Sequence, residues 1–270
     1  MATWSVMTWN MNLASKRDPD TNWAFLDRLI EDEDIDVALL SEAVASPRTD
    51  TLYGSRGSSG TIGRDSKPRD WSTAITSKYG PVEIQDAVAV NYLGHPRTHL
   101  PFASSRPGAW TAAQVTLEEE LTVTFISLYG LLDDLADASV HRSLSDLDAL
   151  FTDPRYNKYI VVGGDLNIST QMPEGPVRAR SRSAAVFTRL RALGLAECLE
   201  GKWNAARRIE HCPCEQGDEC RHVQTKKSDK YQMDYLFASK SLTLDDCFPI
   251  EPQLWRDYSD HAPVLGRFTY

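Results

Sequence analysis

The sequence predicts an α/β fold: one large sandwich domain spanning residues 1–270, with one irregular excursion at 201–230. Short apolar runs of strand length alternate along the chain with segments whose apolar residues recur at helical spacing. No internal repeat interrupts this alternation. The length of 270 residues exceeds an average domain but suits a single large α/β unit. A chain of that size buries enough apolar surface to need neither disulfide nor metal merely to fold.

The elements follow in order. Ser5 to Asn10 reads as a strand running into a loop. Asn22 is placed to cap a helix whose Phe25, Leu26, Leu29 and Ile30 form one apolar face. Ile35 to Leu40 makes a buried strand, closed by Ser41 and Glu42. Leu52 to Lys67, rich in Gly and Ser, predicts a mobile surface loop. Strands are expected at Ser72 to Thr76, Trp110 to Leu117 and Leu121 to Tyr129, the last alternating well through β-branched and aromatic residues. Val140, Leu144, Leu147 and Phe151 then fall at helical spacing. Tyr159 to Val162 is a short buried strand, ended by a Gly163-Gly164-Asp165 turn. A helix from about Ser183 to Leu193 presents Val186, Leu190 and Leu193 on one side and stops at Gly194. Strands resume at Gln232 to Ala238 and finish at Pro263 to Phe268.

Composition excludes several classes. Hydrophobic residues at 41% and charged residues at 25% are ordinary for a soluble globular protein and exclude wholesale disorder. The N-terminus lacks the basic and apolar regions of a signal peptide. No apolar run approaches the roughly 20 residues a membrane-spanning helix needs. A cytoplasmic protein without membrane contact is expected, and no protein partner is indicated. The net charge of −9 weighs against a phosphate-rich partner, although local fields matter more than the total. A carboxylate metal site would itself add negative charge that a bound cation offsets. The runs Glu31-Asp32-Glu33-Asp34 with Asp36, and Asp133-Asp134 with Asp137, read as solvated surface.

Chemistry-bearing residues recur where apolar strands end. Asn10 and Asn12 follow Val6-Met7-Thr8-Trp9, Glu42 follows Val37-Ala38-Leu39-Leu40, Asp165 and Asn167 follow Ile160-Val161-Val162-Gly163-Gly164, and Asp260-His261 precede Pro263-Val264-Leu265. Asp234 lies inside Gln232-Met233-Asp234-Tyr235-Leu236-Phe237, where a carboxylate is costly unless paired or metal-bound. Each taken alone reads as a turn or surface residue. Together, and in this order, they point to a site for a cation and a phosphate.

Trp9-Asn10-Met11-Asn12, Ser41-Glu42, Gly164-Asp165-Leu166-Asn167, Met233-Asp234-Tyr235 and Ser259-Asp260-His261-Ala262-Pro263 resemble the ordered motifs of the endonuclease/exonuclease/phosphatase superfamily. The resemblance spans nearly the whole chain, with Gly-Asp-Leu-Asn and Ser-Asp-His its most specific pieces. It implies a four-layer α/β/β/α sandwich of two packed mixed sheets flanked by helices, with the site at one edge. It also implies a Mg²⁺- or Mn²⁺-dependent phosphoesterase. Glu42 would be the principal ligand, with Asn10 and Asp260 nearby. Asp165 would orient or deprotonate the attacking water, which needs a pKa above its usual value of about 3.9. Asn167 would hold that water or donate to a phosphate oxygen. His261 would contact the scissile phosphate, its tautomer set by Asp234. Asn12 stands where relatives often carry an acidic residue.

Tyr129 closes its strand at a position where exonuclease III-like nucleases tend to have Tyr and many phosphatase relatives His. The following Gly130-Leu131-Leu132 departs from the usual loop. The resemblance therefore leans toward a nuclease and a nucleic-acid substrate. Two basic stretches agree with that: Arg178, Arg180, Arg182, Arg189 and Arg191, then Arg221, Lys226, Lys227 and Lys230. The alternatives are a phosphomonoesterase or a phospholipid or inositol-phosphate phosphodiesterase using the same site, and a non-enzymatic binding module.

The excursion holds His211-Cys212-Pro213-Cys214 and Cys220-Arg221-His222. Cys212, Cys214, Cys220 and His222 offer a tetrahedral Cys₃His set for structural Zn²⁺, with His211 a competitor for one position. Free thiols, or a disulfide from Cys212 or Cys214 to Cys220, are the alternatives. Cys198 and Cys247 are expected to be ordinary buried thiols.

Overall fold

The computed structural model describes residues 3–13, 18–44, 48, 50–54, 61–62, 68–84, 104–132, 135–169, 177–199, 225 and 232–270. In chain order these form β1 (Thr3–Asn10), α1 (Pro19–Asp32), β2 (Val37–Ala43), β3 (Thr51–Tyr53), β4 (Thr61–Ile62), β5 (Pro68–Arg69), β6 (Ser72–Ser77), β7 (Val82–Glu83) and β8 (Trp110–Thr116). There follow β9 (Thr122–Leu128), α2 (Ala136–Asp146), α3 (Asp148–Thr152), β10 (Ile160–Asp165), α4 (Val177–Ala192), β11 (Leu195–Glu197), β12 (Asp234–Ser239), β13 (Thr243–Pro249), α5 (Pro252–Trp255) and β14 (Val264–Thr269).

Two six-stranded sheets carry the architecture, ordered β13-β14-β1-β2-β6-β3 and β11-β12-β10-β9-β8-β7. Both are mixed, because β1 and β2 pair in parallel, as do β9 and β10, within otherwise antiparallel ladders. Period-two alternation divides each strand between two cores. Val6, Val37, Leu39, Phe125, Val161, Leu236 and Val264 meet between the sheets. Met7, Trp9, Ala38, Leu40 and Leu265 face outward onto Phe25, Leu26 and Leu29 of α1 and Trp255 of α5. Ile126, Leu128, Val162, Tyr235 and Phe237 face outward onto α2, α3 and α4. The result is the expected four layers.

Strand direction collects the polar strand ends. The carboxyl ends of β1, β2, β9 and β10 and the amino ends of β12 and β14 all lie at one edge of the sandwich, as the registers Asn10↔Ser41, Asp165↔Asp234 and Thr8↔Val264 require. Ligand sites of open α/β sheets favour such an edge.

Several local expectations change. Asp18, not Asn22, caps α1, accepting from Asp20 N with Pro19 opening the helix. Asn22 sits buried in the first turns, and its Nδ2 donates to Met11 O (2.6 Å) and Tyr258 O (3.0 Å). Gly163, Gly164 and Asp165 continue β10 rather than turning. The Val140–Phe151 helix breaks at Leu147 into α2 and α3. Part of the 52–67 stretch lies in β3 and β4. β13 has no clear sequence signature because it is an edge strand whose Asp245 and Asp246 face solvent, with a bulge between Leu244 and Asp246. Asp36 is buried, accepting from Ser5 N (2.8 Å) and the Tyr79 hydroxyl (3.1 Å). Asp137 is also buried, paired with Arg182 at 3.0 Å. Both escape the solvated reading because a tertiary partner takes the charge. Asp133 and Asp134 lie outside the described residues.

Two glycines let β9 and β10 close on each other at the edge. A Cβ on Gly164 would stand 1.7 Å from Leu128 O, and one on Gly130 would stand 1.9 Å from Leu166 O. Gly164→Ala is therefore expected to cost on the order of 3 kcal/mol by overpacking against backbone that cannot yield. Urea unfolding monitored by tryptophan fluorescence would measure it; an unchanged midpoint would show that the two strand ends are not locked together.

Candidate active site

Alternation alone aims three of the polar side chains. Asn10 has the parity of Val6, Asp165 that of Val161 and Asp234 that of Leu236, and those three apolar residues lie between the sheets. Asn10, Asp165 and Asp234 thus enter the mouth of the sandwich, where they are almost wholly buried. Asp165 and Asp234 stand directly opposite in the β10–β12 register. Asn10 Nδ2 crosses between the sheets to Asp165 Oδ2 at 2.9 Å.

Glu42 breaks the rule. It has the parity of Leu40, which faces the helices. A register irregularity against β6 between Leu40 and Ala43 leaves Glu42 at φ +51° and re-aims its carboxylate into the site. Its Oε1 accepts from the Tyr129 hydroxyl (2.8 Å) and Asn10 Nδ2 (3.2 Å). Asn12 and Asn167 also hold positive φ, at +53° and +49°. Three of the five non-glycine residues with positive φ among the described residues thus belong to this cluster. Such concentration of backbone strain is a property of functional sites.

His261 completes the cluster. Its backbone N donates to Ser259 Oγ (3.0 Å), Ser259 Oγ donates to Asn10 O (2.7 Å), and Trp9 Nε1 donates to His261 O (3.2 Å). The ring so held lies between two carboxylates, Nδ1 2.8 Å from Asp234 Oδ2 and Nε2 3.7 Å from Asp165 Oδ2. Asn167 tightens the opposite wall: its N donates to Asp165 Oδ1 (2.9 Å) and its Nδ2 to Gly130 O (3.0 Å).

Burial and charge oppose each other here. Burial raises the Asp165 carboxyl from its ordinary range to about 7; the His261 imidazolium works against that rise and the Asp234 anion with it. Burial would lower His261, but the anions of Asp234 and Asp165, with the Asp234 hydrogen bond, overturn it and raise the imidazole to about 10. Burial, then the nearby Glu42 and Asp165 anions, push the Tyr129 phenol well above its ordinary value.

A cation suits this donor set. Ligand atoms of Asp165, Asp234 and His261 lie within 4.8 Å of one another. Asp234 Oδ1 is buried without a hydrogen-bond partner. Carboxylate oxygens predominate, the preference of hard ions such as Mg²⁺ and Mn²⁺. Glu42 stands beside this trio, and both of its hydrogen bonds fall on Oε1. Asn10 Oδ1 accepts from Asn12 N at 2.8 Å, which occupies one of its two lone pairs.

The remaining expected residues divide. Asp260 is half-buried on the His261 turn, and its charge contributes to raising the imidazole. Arg182 pairs with Asp137 on α2. Arg178 and Arg180 occupy the first turns of α4, and their side chains lie outside the description. Cys212, Cys214, Cys220, His222, Lys226 and Lys227 lie outside the described residues. Cys198 and Cys247 are buried, and neither is in a disulfide. Ser259 and Thr225 were not singled out by sequence reasoning. Ser259 stood within a recognised motif, whereas Thr225, in an irregular polar stretch, carried no signal.

The comparisons agree with this fold. The model of the endonuclease/exonuclease/phosphatase family matches residues 7–261. A search of curated protein sequences found no match. Among solved structures, the chain is similar to an endonuclease/exonuclease/phosphatase from Beutenbergia cavernae DSM 12333, with 17% identity, 98% of this chain and 71% of that one covered, and a TM-score of 0.59. It is similar to the endonuclease domain of TRAS1, a telomere-specific non-LTR retrotransposon, with 15% identity, 99% of each chain covered and a TM-score of 0.59. It is also similar to D. rerio TDP2 complexed with a single-strand DNA product, with 14% identity, 100% of each chain covered and a TM-score of 0.60. Identities this low speak for the fold. Among the described residues no helix is long and apolar enough to cross a membrane. With the family match running from Met7 on β1 to His261 itself, the chain belongs to the endonuclease/exonuclease/phosphatase family, whose members are hydrolases of phosphoester bonds.

Proposed function

We propose that this protein is a Mg²⁺- or Mn²⁺-dependent phosphodiesterase acting on nucleic acid, a nuclease. The observation that carries the reading is the Asp165–His261–Asp234 arrangement beside Glu42: a base, a hydrogen-bond donor to phosphate and its orienting carboxylate, converging from three strand ends. The TRAS1 endonuclease and the DNA-bound TDP2 support a nucleic-acid substrate.

The chemistry follows from the side chains. Asp165, raised to about 7, is matched to accept the proton of a water attacking phosphorus at neutral pH. Asn167 N and Asn10 Nδ2 hold that carboxylate by its two oxygens. The His261 imidazolium, with Nδ1–H engaged by Asp234, offers Nε2–H to a non-bridging phosphate oxygen. His261 Nδ1 and Asp234 Oδ2 are joined to each other, so we assign the cation to Glu42, with Asn10 Oδ1 and Asp260. Tyr129 holds the Glu42 carboxylate in place. A cation held by those residues would supply charge neutralisation for the phosphate and the departing oxygen. Arg178 and Arg180 on α4, with Lys226 and Lys227, are the proposed contacts for flanking phosphates.

Glu42→Gln should lower turnover about 10²-fold at limiting Mg²⁺ and recover part of it as Mg²⁺ rises; a variant with an unshifted Mg²⁺ requirement would remove Glu42 from the ligand set. The decisive assay gives purified protein Mg²⁺ or Mn²⁺ with bis-p-nitrophenyl phosphate, single-stranded DNA, duplex DNA, RNA, inositol phosphates and sphingomyelin. Cleavage of nucleic acid to 5′-phosphate and 3′-hydroxyl ends is expected. Hydrolysis confined to inositol phosphates or sphingomyelin would move the reading to those substrates, and no hydrolysis of any would end it.

A further inference from the structure

The segment between Leu199 and Gln232 is irregular in sequence, yet its one described residue is wired into the site. Thr225 is fully buried. Its Oγ1 accepts from two consecutive backbone donors, Met233 N at 2.9 Å and Asp234 N at 3.1 Å. Its carbonyl accepts from Ala262 N at 2.7 Å. One residue therefore grips the first residue of β12, which carries the Asp234 carboxylate, and the residue that follows His261.

Asp234 and His261 otherwise depend on separate sheets, β12 in one and the turn before β14 in the other. No ladder hydrogen bond joins those strands. Asp234 N pairs with Thr225 instead of a neighbouring strand, so β12 begins where Thr225 lets it. Asp234 Oδ1, buried and unpaired, adds a cost that the backbone must be held against.

We infer that Thr225 is a positioning residue that sets the spacing of the Asp234–His261 pair by clamping the backbone of both, a role that rests on the phosphodiesterase reading above. A hydroxyl is needed because it accepts two N–H groups from one point; valine fills the same volume and accepts neither. Loss of the clamp relaxes the His261 ring without removing any group that touches substrate. Misplacement of a catalytic group by an ångström is enough to cost about 10²-fold.

The test compares Thr225→Val with Thr225→Ser, assaying bis-p-nitrophenyl phosphate with Mg²⁺ and recording the downfield imidazole Nδ1–H resonance of His261 by NMR. Thr225→Val is expected to lower kcat about 10²-fold with KM nearly unchanged, and to shift or broaden that resonance. Thr225→Ser, which keeps both acceptors, should restore both. In an Asp234→Asn background Thr225→Val should cost little more, because the pair it serves is already broken. Wild-type kcat and resonance in Thr225→Val, no rescue by Ser, or full additivity with Asp234→Asn would each overturn the role. Should Thr225→Val fail to fold, the Ser variant and its resonance decide by themselves: a lost resonance or lost turnover there refutes the clamp. A wild-type protein that hydrolyses no phosphodiester sinks the enzymatic reading, and the resonance still judges Thr225.

Discussion

Asp165→Asn is expected to abolish about 10³-fold of turnover and, in the same metal-free protein, to increase stability above pH 7. The two effects share one cause. Burial raises the Asp165 carboxyl to about 7, so the folded chain binds this proton more tightly than the unfolded chain does. Between about pH 4 and pH 7 the native state therefore loses stability as the pH rises, because the unfolded state releases the proton first. An amide in that place never ionises. The variant should match the wild type near pH 4, then exceed it by on the order of 2 kcal/mol at pH 8. Thermal melts across that range, in EDTA, would check it. A variant that is active, or that is equally destabilised at every pH, would contradict a buried general base.

His261→Ala is expected to be as damaging to turnover but opposite in its effect on stability. The imidazole is raised to about 10, with Asp234 on one side and Asp165 on the other. A cation so placed contributes stability that is fully present below about pH 6.5 and is lost as the pH climbs through 10. Removing it leaves Asp165 and Asp234 directly paired across β10 and β12 with nothing between them. The deficit should be on the order of 2–4 kcal/mol at pH 6.5 and shrink toward pH 10. Equal melting temperatures for variant and wild type at pH 6.5 would show that the imidazole is neutral in the native state. The two substitutions thus separate through the sign of the stability change, a gain for Asp165→Asn and a deficit for His261→Ala, although both silence the enzyme.

Much of this site could be read in one dimension. Asn10, Asp165 and Asp234 share parity with apolar neighbours whose side chains must be buried, so their inward direction follows from strand periodicity. His261 came with its motif. Glu42 did not come from periodicity at all, since alternation would send it toward the helices, and a bulge turns it back. Asn22 misled for a related reason: its short polar side chain suits a cap, yet it spends its donors on Met11 O and Tyr258 O, carbonyls that fold beside it from far along the chain. Arg182 looked available for phosphate until Asp137 was placed beside it.

The amino-acid order was sufficient for the alternation of strands and helices, the family, and the set of polar residues gathered at strand ends, because each depends on local spacing. The bulge beneath Glu42, the paired carboxylates with an imidazole between them, the carboxyl raised to about 7 and the grip of Thr225 on two strand ends came from the folded chain alone. Those depend on burial and on hydrogen bonds between residues far apart in sequence, and neither quantity exists until the two sheets have packed.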